Sequence, residues 1–374
     1  MTDECEMNEA TAHEVGAALL EWYDAQGCAL PWRRRDGGRP DPYVVWLSEI
    51  MLQQTTVATV ERRFAAFIER WPGVRELAAA DEEEVLAAWA GLGYYARARN
   101  LHACARRIVE EHDGRFPQTM AELKRLPGIG DYTAAAIAAI AFGQPVAAVD
   151  GNVERVVARL FAVTRPLPGA RATIRHCAQA LVPEDRPGDF AQAMMDLGRL
   201  VCRPRTPRCD ACPLASCCQA RVKGCADELP RRTVRKDRPV RTGTVFVIQR
   251  EDGALLFRRR PRKGLLGGLW ELPSQGWDGG PPLWPDAAPF GLPTVALNTS
   301  VRHVFTHFEL HVVIRQAMRP LEEPLGSAVA DGKTYCWCQP REAEKVLALP
   351  TLVSKVLKTW SRTKDESMFS TRGG

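Results

Sequence analysis

The chain has 374 residues, of which 45% are hydrophobic, and this length predicts two or three domains with ordinary packed cores. The net charge is only +5, although basic residues cluster at 231–241 and 258–263, a distribution that fits a polyanionic partner as well as it fits solvated loops. No apolar run reaches the roughly 18 residues of a membrane span, and the acidic first residues do not resemble a transit peptide, so we expect a soluble, cytoplasmic protein without a membrane partner.

Helical periodicity dominates the first part of the chain. From residue 10 to residue 225, apolar residues recur every three or four positions, and strand-like alternation is nearly absent. The pattern is clearest at Phe190, Met194, Leu197 and Val201. We therefore expect an all-α domain over 10–225.

The composition changes after this domain. Residues 226–240 are rich in Pro, Arg and Lys without periodicity, which predicts a basic linker. An α+β domain is then expected over 241–360, followed by a disordered polar tail over 361–374. The β-prone runs and the final helical pattern of that domain lie at 244–248, 254–258, 301–305, 310–314 and 341–360.

A single acid lies in an otherwise apolar predicted helix. Asp41 and Pro42 are typical of a helix N-terminus, and Glu49 is the only carboxylate in the run that continues to Thr55. Because burying an ionised carboxylate costs several kcal/mol, a buried Glu49 would shift toward its neutral form and be ready to donate a proton. From these residues alone, Glu49 could instead reach solvent or pair with an arginine.

Two glycines in a short turn predict a helix-hairpin-helix. The string L-P-G-I-G at 126–130 lies between a short helical run and an Ala-rich helix over 131–142, with Gly143 as a C-cap. Glycine at positions 128 and 130 lets the backbone approach closely, so amides at the next helix N-terminus can bind a phosphate without reading sequence. The alternative is a tight turn between two packed helices.

An apolar run delivers a carboxylate to the entrance of the following helix. The string V-D-G-N-V at 149–153 places Asp150 and Asn152 there. Taken alone, either residue could serve only as an N-cap.

Four cysteines have the spacing of a metal cluster. Cys202, Cys209, Cys212 and Cys218 stand at C-x6-C-x2-C-x5-C, with Cys217 as an adjacent spare. Zinc usually takes two separated C-x2-C pairs, so one pair flanked by outlying cysteines favours an iron–sulfur cluster. Zinc stays an alternative, because ligand type alone does not choose the metal. Disulfide-bonded cysteines are disfavoured in an intracellular protein.

The hairpin, the spaced aspartate and the cysteine loop together resemble the helix-hairpin-helix DNA glycosylase superfamily, whose cluster-bearing members are endonuclease III and the MutY adenine glycosylases. The resemblance implies a six-helix barrel with an iron–sulfur subdomain. Bifunctional members carry a lysine nucleophile two residues after the hairpin, where this sequence has Tyr132. Loss of that amine implies a glycosylase that releases a base and leaves the strand uncut.

The string L-S-E-I-M-L-Q-Q-T at 47–55 is similar to the MutY catalytic helix. The resemblance implies that Glu49 protonates adenine at N7, that Asp150 stabilises the cationic sugar or traps it covalently, and that Tyr132 and Asn152 orient both acids. Two carboxylates with separate roles suit a reaction that develops positive charge on the sugar.

Flipping adenine out of the duplex requires a pocket, a wedge and contacts to DNA. By resemblance, Tyr94 in the loop at 91–100 matches the aromatic that intercalates, although a helix start with two core tyrosines is the alternative. The adenine pocket is assigned to Trp32, Arg33 and Gln192. Residues assigned to DNA contact are Gly128, Gly130, Tyr94, Gln54, Thr55, Arg97 and Arg99.

Residues 260–273 resemble the Nudix-type domain that ends MutY proteins. The stretch at 274–282 is too rich in Gly and Pro for the glutamate-bearing helix that holds magnesium in Nudix hydrolases, so we expect recognition rather than pyrophosphate hydrolysis. Phe305, Thr306 and His307 match the Phe-Ser-His loop that senses 8-oxoguanine. Threonine replaces serine and keeps its donor and acceptor capacity, while its extra methyl restricts the rotamer.

The sequence thus predicts a multidomain protein, with an all-α helix-hairpin-helix glycosylase domain, an iron–sulfur cluster loop and an α+β Nudix-like domain. We expect a monomer with a [4Fe-4S] cluster that removes adenine opposite 8-oxoguanine or guanine in double-stranded DNA during base excision repair. Two alternatives stay open. One is an endonuclease III-like bifunctional glycosylase/lyase, and the other is a non-catalytic, cluster-bearing DNA-binding protein.

Overall fold

A computed structural model describes residues 9–233, 237–262, 264–277, 289–320, 335–347 and 349–370. The chain divides into two compact units. The first comprises Met1–Ala80 and Asn100–Arg235, and the second comprises Asp81–Arg99 and Lys236–Gly374. The later boundary lies inside the predicted linker, whereas Asp81–Arg99, which we expected in the all-α domain, groups with the C-terminal unit.

The all-α prediction for the first part of the chain is confirmed, since no strand lies between residues 9 and 233 of the described chain. The helices are α1 Glu9–Gln26, α2 Pro42–Leu52, α3 Val57–Arg70, α4 Val74–Ala79, α5 Glu82–Ala88, α6 Ala96–His112, α7 Met120–Leu123, α8 Asp131–Phe142, α9 Gly151–Leu160, α10 Arg171–Ala180, α11 Pro187–Leu200 and α12 Gln219–Val222.

Four of these helices pack closely: α8 contacts α2 and α11, and α11 contacts α9. Helix α2 begins as predicted, because the Asp41 side chain accepts a hydrogen bond from the Tyr43 amide at 2.8 Å and Pro42 occupies the first turn. Helices α2 and α8 are buried over most of their length, which explains why their sequences are apolar on every side. A polar side chain on α2 or α8 is therefore surrounded by the other helices of the bundle.

A second part of the helical core joins α1, α9, α10 and α11. Leu19, Val157, Ile174 and Leu197 belong to it, and all four are almost fully buried. Cysteines of the loop after α11 pack against its edge. The loop is thus supported by the same core that fixes α9 and α11.

The segment predicted as a linker begins with an ordered part. Leu229 is buried, the Leu167 amide donates to the Arg231 carbonyl at 2.8 Å, and the Thr233 amide donates to the Leu167 carbonyl at 3.1 Å. Residues 226–233 are therefore held by the helical unit, while 234–236 lie outside the described residues.

The C-terminal unit is built on a mixed sheet, which confirms the α+β prediction. Its path is β3-β2-β1-β6-β5, with β4 paired to β1, β7 paired to β2, and β1 parallel to β6. The strands are β1 Val240–Arg250, β2 Leu255–Arg259, β3 Trp270–Glu271, β4 Ser274–Gln275, β5 Val295–Val304, β6 Glu309–Arg319 and β7 Tyr335–Cys338. The four predicted β-prone runs fall on β1, β2, β5 and β6.

The final helical pattern differs from the prediction in two ways. It forms two helices, α13 Pro340–Val346 and α14 Thr351–Ser370, because Pro350 disfavours helical geometry in the residue before it. Helix α14 also continues through 361–370, where we predicted a disordered tail; residues 371–374 lie outside the described residues. Leu352, Val356 and Trp360 bury one face of α14 in the core under the sheet.

In the described part of the chain, no helix combines the length and the apolar character that crossing a membrane requires.

Candidate active site

One cavity in the helical unit brings together most of the residues predicted for catalysis and base binding. Its volume is about 860 Å³, and it is lined by the loop before α2, by α2 and the turn after it, and by α8, α9 and α11. The predicted residues on its wall are Trp32, Arg33, Glu49, Gln54, Thr55, Tyr132, Asp150, Asn152 and Gln192. Residues more than a hundred positions apart in the sequence therefore share one site.

Glu49 lies on α2 and is 6% exposed. Burial raises the pKa of its carboxyl to about 7, and the negative charge of Asp150 acts in the same direction. A hydrogen bond with Tyr132 and the positive charge of Arg33 oppose the increase. A carboxyl with a pKa near neutrality carries its proton in a large fraction of molecules, which is the property that a general acid needs.

Tyr132, near the start of α8, contacts this acid. Burial raises the pKa of its hydroxyl well above the usual value, and the charges of Glu49 and Asp150 raise it further. The hydroxyl therefore stays protonated, and its oxygen lies 3.5 Å from the Met195 sulfur. Tyr132 can orient Glu49 but has no amine with which to attack a sugar.

Asp150 is both an N-cap and a wall residue of the cavity. Its Oδ1 accepts hydrogen bonds from the amides of Asn152 at 2.9 Å and Val153 at 2.8 Å, and its Oδ2 accepts from Asn152 Nδ2 at 2.8 Å. Burial raises its pKa, and the hydrogen bonds that it accepts counteract this. Three donors and the N-terminus of α9 thus hold the carboxylate in one orientation.

Arg155 connects this cap to the cysteine loop. Its guanidinium donates to Asn152 Oδ1 at 3.0 Å, to the Gly198 carbonyl at 2.6 Å and to the Cys202 carbonyl at 2.7 Å. A Cβ on Gly198 would lie 2.6 Å from the Cβ of Asn152, so only glycine lets α11 approach α9 this closely.

The four predicted cysteine ligands, Cys202, Cys209, Cys212 and Cys218, line a separate small cavity. Arg159, 2% exposed, donates to Cys202 Sγ at 3.3 Å and to the carbonyls of Arg203 and Leu229 at 2.7 and 3.0 Å. Within the described residues, no three His, Cys, Asp or Glu side chains form a site for a single metal ion. The four thiols instead surround a shared space, with the buried Arg159 guanidinium against the sulfur of Cys202.

The predicted hairpin lies outside the active-site cavity, immediately before α8. Gly128 has a φ of 76°, and a Cβ there would lie 2.8 Å from the Cβ of Asn100. Glycine is therefore required at this position. Gly130 has a φ of −92°, which other residues adopt, and an added Cβ would meet nothing within 4 Å.

Tyr94, Arg97 and Arg99 lie in the segment that belongs to the C-terminal unit. Tyr94 has a φ of 47° and is 53% exposed, as a wedge requires. Arg97 donates to the Leu92 carbonyl at 2.7 Å, and Arg99 donates to the Gly267 carbonyl. Both arginines are therefore engaged with backbone, and their contact with phosphates stays a prediction.

The three residues predicted to sense 8-oxoguanine form the turn between β5 and β6. The Phe305 amide donates to the Phe308 carbonyl at 2.9 Å, and this closes the turn with Thr306 and His307 exposed. The Thr306 hydroxyl lies 3.4 Å from the Tyr94 hydroxyl. Two groups predicted to meet the same base pair are thus neighbours.

Sequence reasoning missed part of the cavity wall, including Ser48, Gln53, Met195, Asp196 and Arg199. Asp196 is 1% exposed and hydrogen-bonded to Arg33. An acid within the apolar repeat of α11 was the available signal, since such a residue needs a buried partner.

The helical fold with its hairpin and acid-lined cavity defines a helix-hairpin-helix base excision repair protein. Residues 47–184 match the family model described as "HhH-GPD superfamily base excision DNA repair protein", and residues 244–359 match the NUDIX domain model. A solved thermostable thymine-DNA glycosylase is 28% identical with a TM-score of 0.51, over 57% of this chain and 99% of that one.

Two relatives specify the family further. Human adenine DNA glycosylase is 40% identical over 314 residues, which cover 70% of this chain and 57% of the human protein. The rat adenine DNA glycosylase is 34% identical over 412 residues, which cover 91% of this chain and 77% of the rat protein. The chain belongs to the adenine DNA glycosylase family.

Proposed function

We propose that this protein hydrolyses the N-glycosidic bond of adenine paired with 8-oxoguanine or guanine in double-stranded DNA, and leaves the strand uncut. One observation carries the proposal: a buried glutamate, Glu49, whose pKa is raised to about 7, shares a cavity with Asp150 and Tyr132. A neutral acid can protonate a leaving base, and a carboxylate held at a helix N-terminus can stabilise the cationic sugar.

The reaction follows from these two roles. Glu49 gives its proton to N7 of the flipped adenine, and the bond between C1′ and N9 breaks with its electron pair moving to the base. Asp150 balances the positive charge that develops on the deoxyribose. Water then adds to C1′ and loses its proton to the Glu49 carboxylate, which restores the acid.

A glycosylase without lyase activity fits the cavity better than a bifunctional enzyme. Among the described residues that line the cavity, none is a lysine, and Tyr132 occupies the position at which bifunctional relatives have one. Binding without catalysis is disfavoured, because a DNA-binding protein has no need of a buried carboxyl with a raised pKa.

Recognition of the duplex divides between the two units. Amides at the start of α8, next to Gly128 and Gly130, suit a phosphate, since helix N-termini bind anions. Tyr94 would fill the gap that the flipped base leaves, and the turn of Phe305, Thr306 and His307 would contact 8-oxoguanine.

A [4Fe-4S] cluster fits the cysteine loop. In such a cluster each thiolate binds a different iron, so the four sulfurs must surround a space, as Cys202, Cys209, Cys212 and Cys218 do. Arg159 supplies an N–H donor and a positive charge at Cys202. When bound, the cluster would cross-link the loop and so stabilise the basic segment with Arg203, Arg205 and Arg208 for contact with phosphates.

The test is adenine release from a duplex with one 8-oxoguanine:adenine pair, measured for wild type and E49Q. We expect E49Q to lose release by several orders of magnitude, while E111Q, a matched change at an exposed ion pair on α6, leaves it unchanged. Equal release by E49Q and wild type would refute the assignment of the acid. Efficient trapping of wild type on DNA by borohydride would instead support the bifunctional alternative.

A further inference from the structure

A buried ion pair lies in the wall of the active-site cavity. Arg33 Nη1 is 2.6 Å from Asp196 Oδ2, and Nη2 is 3.3 Å from Oδ1. The two side chains are only 8% and 2% exposed. The Cys28 amide also donates to Oδ2, at 2.9 Å. Asp196, which lies on α11, therefore pairs with the Arg33 charge and also holds the backbone of the loop that carries Arg33.

The pair lines the same cavity as the proposed general acid. The ionisable groups on that cavity wall besides Glu49 are Tyr132 from α8, Asp150 from the start of α9, Arg33 from the loop before α2, and Asp196 with Arg199 from α11. Of these, Tyr132, Asp150 and Arg33 act on the pKa of Glu49. Arg33 favours the ionised form of Glu49. A buried guanidinium acts strongly on a nearby carboxyl unless a counter-charge balances it.

We infer that Asp196 is a positioning residue that holds and neutralises Arg33, so that Glu49 retains its proton at neutral pH. The inference rests on the proposed role of Glu49 as the general acid. Arg199, 3.5 Å from Asp196 Oδ1 and 37% exposed, is a second and weaker partner of the same carboxylate.

The sign of each change follows from the charges. Without the Asp196 charge, Arg33 is unbalanced and stabilises ionised Glu49. The loss of rate with rising pH should therefore begin at a lower pH. Without the Arg33 charge, Asp196 repels ionised Glu49. The loss of rate with rising pH should therefore begin at a higher pH. Removing both charges should return the profile close to that of wild type. Shifts in opposite directions that cancel are not expected from a residue that only supports the fold.

The experiment measures single-turnover adenine release between about pH 5 and 9 for D196N, R33Q and the double variant. We expect the alkaline limb of D196N to move down by about one pH unit, that of R33Q to move up, and D196E to restore the wild-type limb. D189N is the matched control, because Asp189 lies on the same helix but pairs with the half-exposed Arg186. A uniform loss of rate with an unmoved limb in D196N would overturn the inference.

A second readout does not depend on activity. Carbon-13 NMR of glutamate-labelled, DNA-free protein follows the Glu49 carboxyl, with E49Q identifying its signal. If wild type releases no adenine while the Glu49 titration moves as predicted, the proposed function fails and the inference stands. If wild type releases adenine normally and neither the alkaline limb nor the Glu49 titration moves in D196N and R33Q, only the inference about Asp196 fails. Should D196N not fold, R33Q and the double variant decide, because identical limbs in those two would refute a charge role for Asp196.

Discussion

The Arg155 guanidinium donates to the side chain of Asn152 at 3.0 Å and to the carbonyl of Cys202 at 2.7 Å. Arg155 thus links Asn152, which orients Asp150, to Cys202, the first cysteine of the loop proposed to hold the cluster. A change that moves this cysteine should therefore also move Asp150, the carboxylate proposed to stabilise the sugar. Disorder in the cysteine loop should lower the rate of adenine release as well as the affinity for DNA.

Replacement of Arg155 tests this connection. R155K keeps the charge but cannot reach three acceptors at once, since the planar guanidinium donates in several fixed directions. We expect single-turnover adenine release to fall by about 10- to 100-fold, the usual effect of losing a residue that orients a functional group. Duplex affinity and the cluster absorbance of purified protein serve as controls. R171K is a matched variant, because Arg171 is half-exposed and pairs with Glu154, the neighbour of Arg155 on α9. An unchanged rate in R155K would show that Asn152 is held without it.

The rate of adenine release should depend on pH through Glu49. The acid must be protonated to act, and its pKa is raised to about 7, so the rate should fall as pH increases through neutrality. Asp150 must be ionised, and burial raises its pKa, so an acid limb should lie above the usual aspartate range. Single-turnover rates at constant ionic strength measure both limbs. A rate that is constant between about pH 6 and 9 would contradict a titrating general acid.

The same group should make the protein less stable at high pH. Glu49 binds its proton more tightly in the folded state, where the pKa is about 7, than at the unfolded value of 4.5. The free energy of unfolding should therefore decrease as pH rises from 4.5 to 7, by about 3 kcal/mol from this residue, and then level off. E49Q should lack this loss and be more stable than wild type at pH 8. Denaturant unfolding at pH 5 and 8 measures the difference, and equal pH dependence in both proteins would contradict it.

The two hairpin glycines should respond differently to alanine. G128A places a Cβ at positive φ and 2.8 Å from the Cβ of Asn100, and we expect a loss of about 1–2 kcal/mol in unfolding free energy. G130A has open space and a permitted φ, so its stability should be unchanged. Both variants should bind duplex DNA more weakly if a phosphate lies against this turn. Normal DNA affinity in a stable G130A would exclude a phosphate at that Cα.

Local patterns were enough to single out Glu49 and Asp150, which the structure places on one cavity, but not the residues around them; the catalytic roles of the two acids come from the family resemblance and stay a prediction. Glu49 stood out because it is the only acid in an apolar helix, and Asp150 because it follows an apolar run at a helix entrance. Asp196 pairs with Arg33 across 163 residues of sequence, and no local periodicity encodes such a contact. The sequence also does not show where a side chain points. The loop sequence shows that Arg97 is basic, but only the fold shows that its guanidinium binds the Leu92 carbonyl.

The length of elements was predicted less well than their type, for physical reasons. Strands β3 and β4 have two residues each, too few for alternation to be seen. In the C-terminal helices a single proline, Pro350, divides a pattern that is apolar on both sides of it. Polar residues after Trp360 favour solvent, yet they can continue a helix that the preceding turns have already nucleated.

The turn proposed to read 8-oxoguanine rests on a column of stacked side chains. The Arg260 guanidinium lies 4.9 Å from the Trp277 ring, and this ring is stacked on Phe305 with centroids 5.9 Å apart and an interplanar angle of 8°. Trp277 is 1% exposed. It therefore fixes the orientation of Phe305, while Thr306 and His307 are exposed at the turn.

W277F should loosen this column while it keeps an aromatic ring in the core. We expect a selective loss, with adenine release opposite 8-oxoguanine falling several-fold and release opposite guanine changing little, because the turn is proposed to contact only the damaged base. The matched control is W337F, which alters a tryptophan that packs in the separate cluster with Phe246 and Ile248. Equal losses for both base pairs in W277F would mean that Trp277 supports the fold of the unit rather than the discrimination between 8-oxoguanine and guanine.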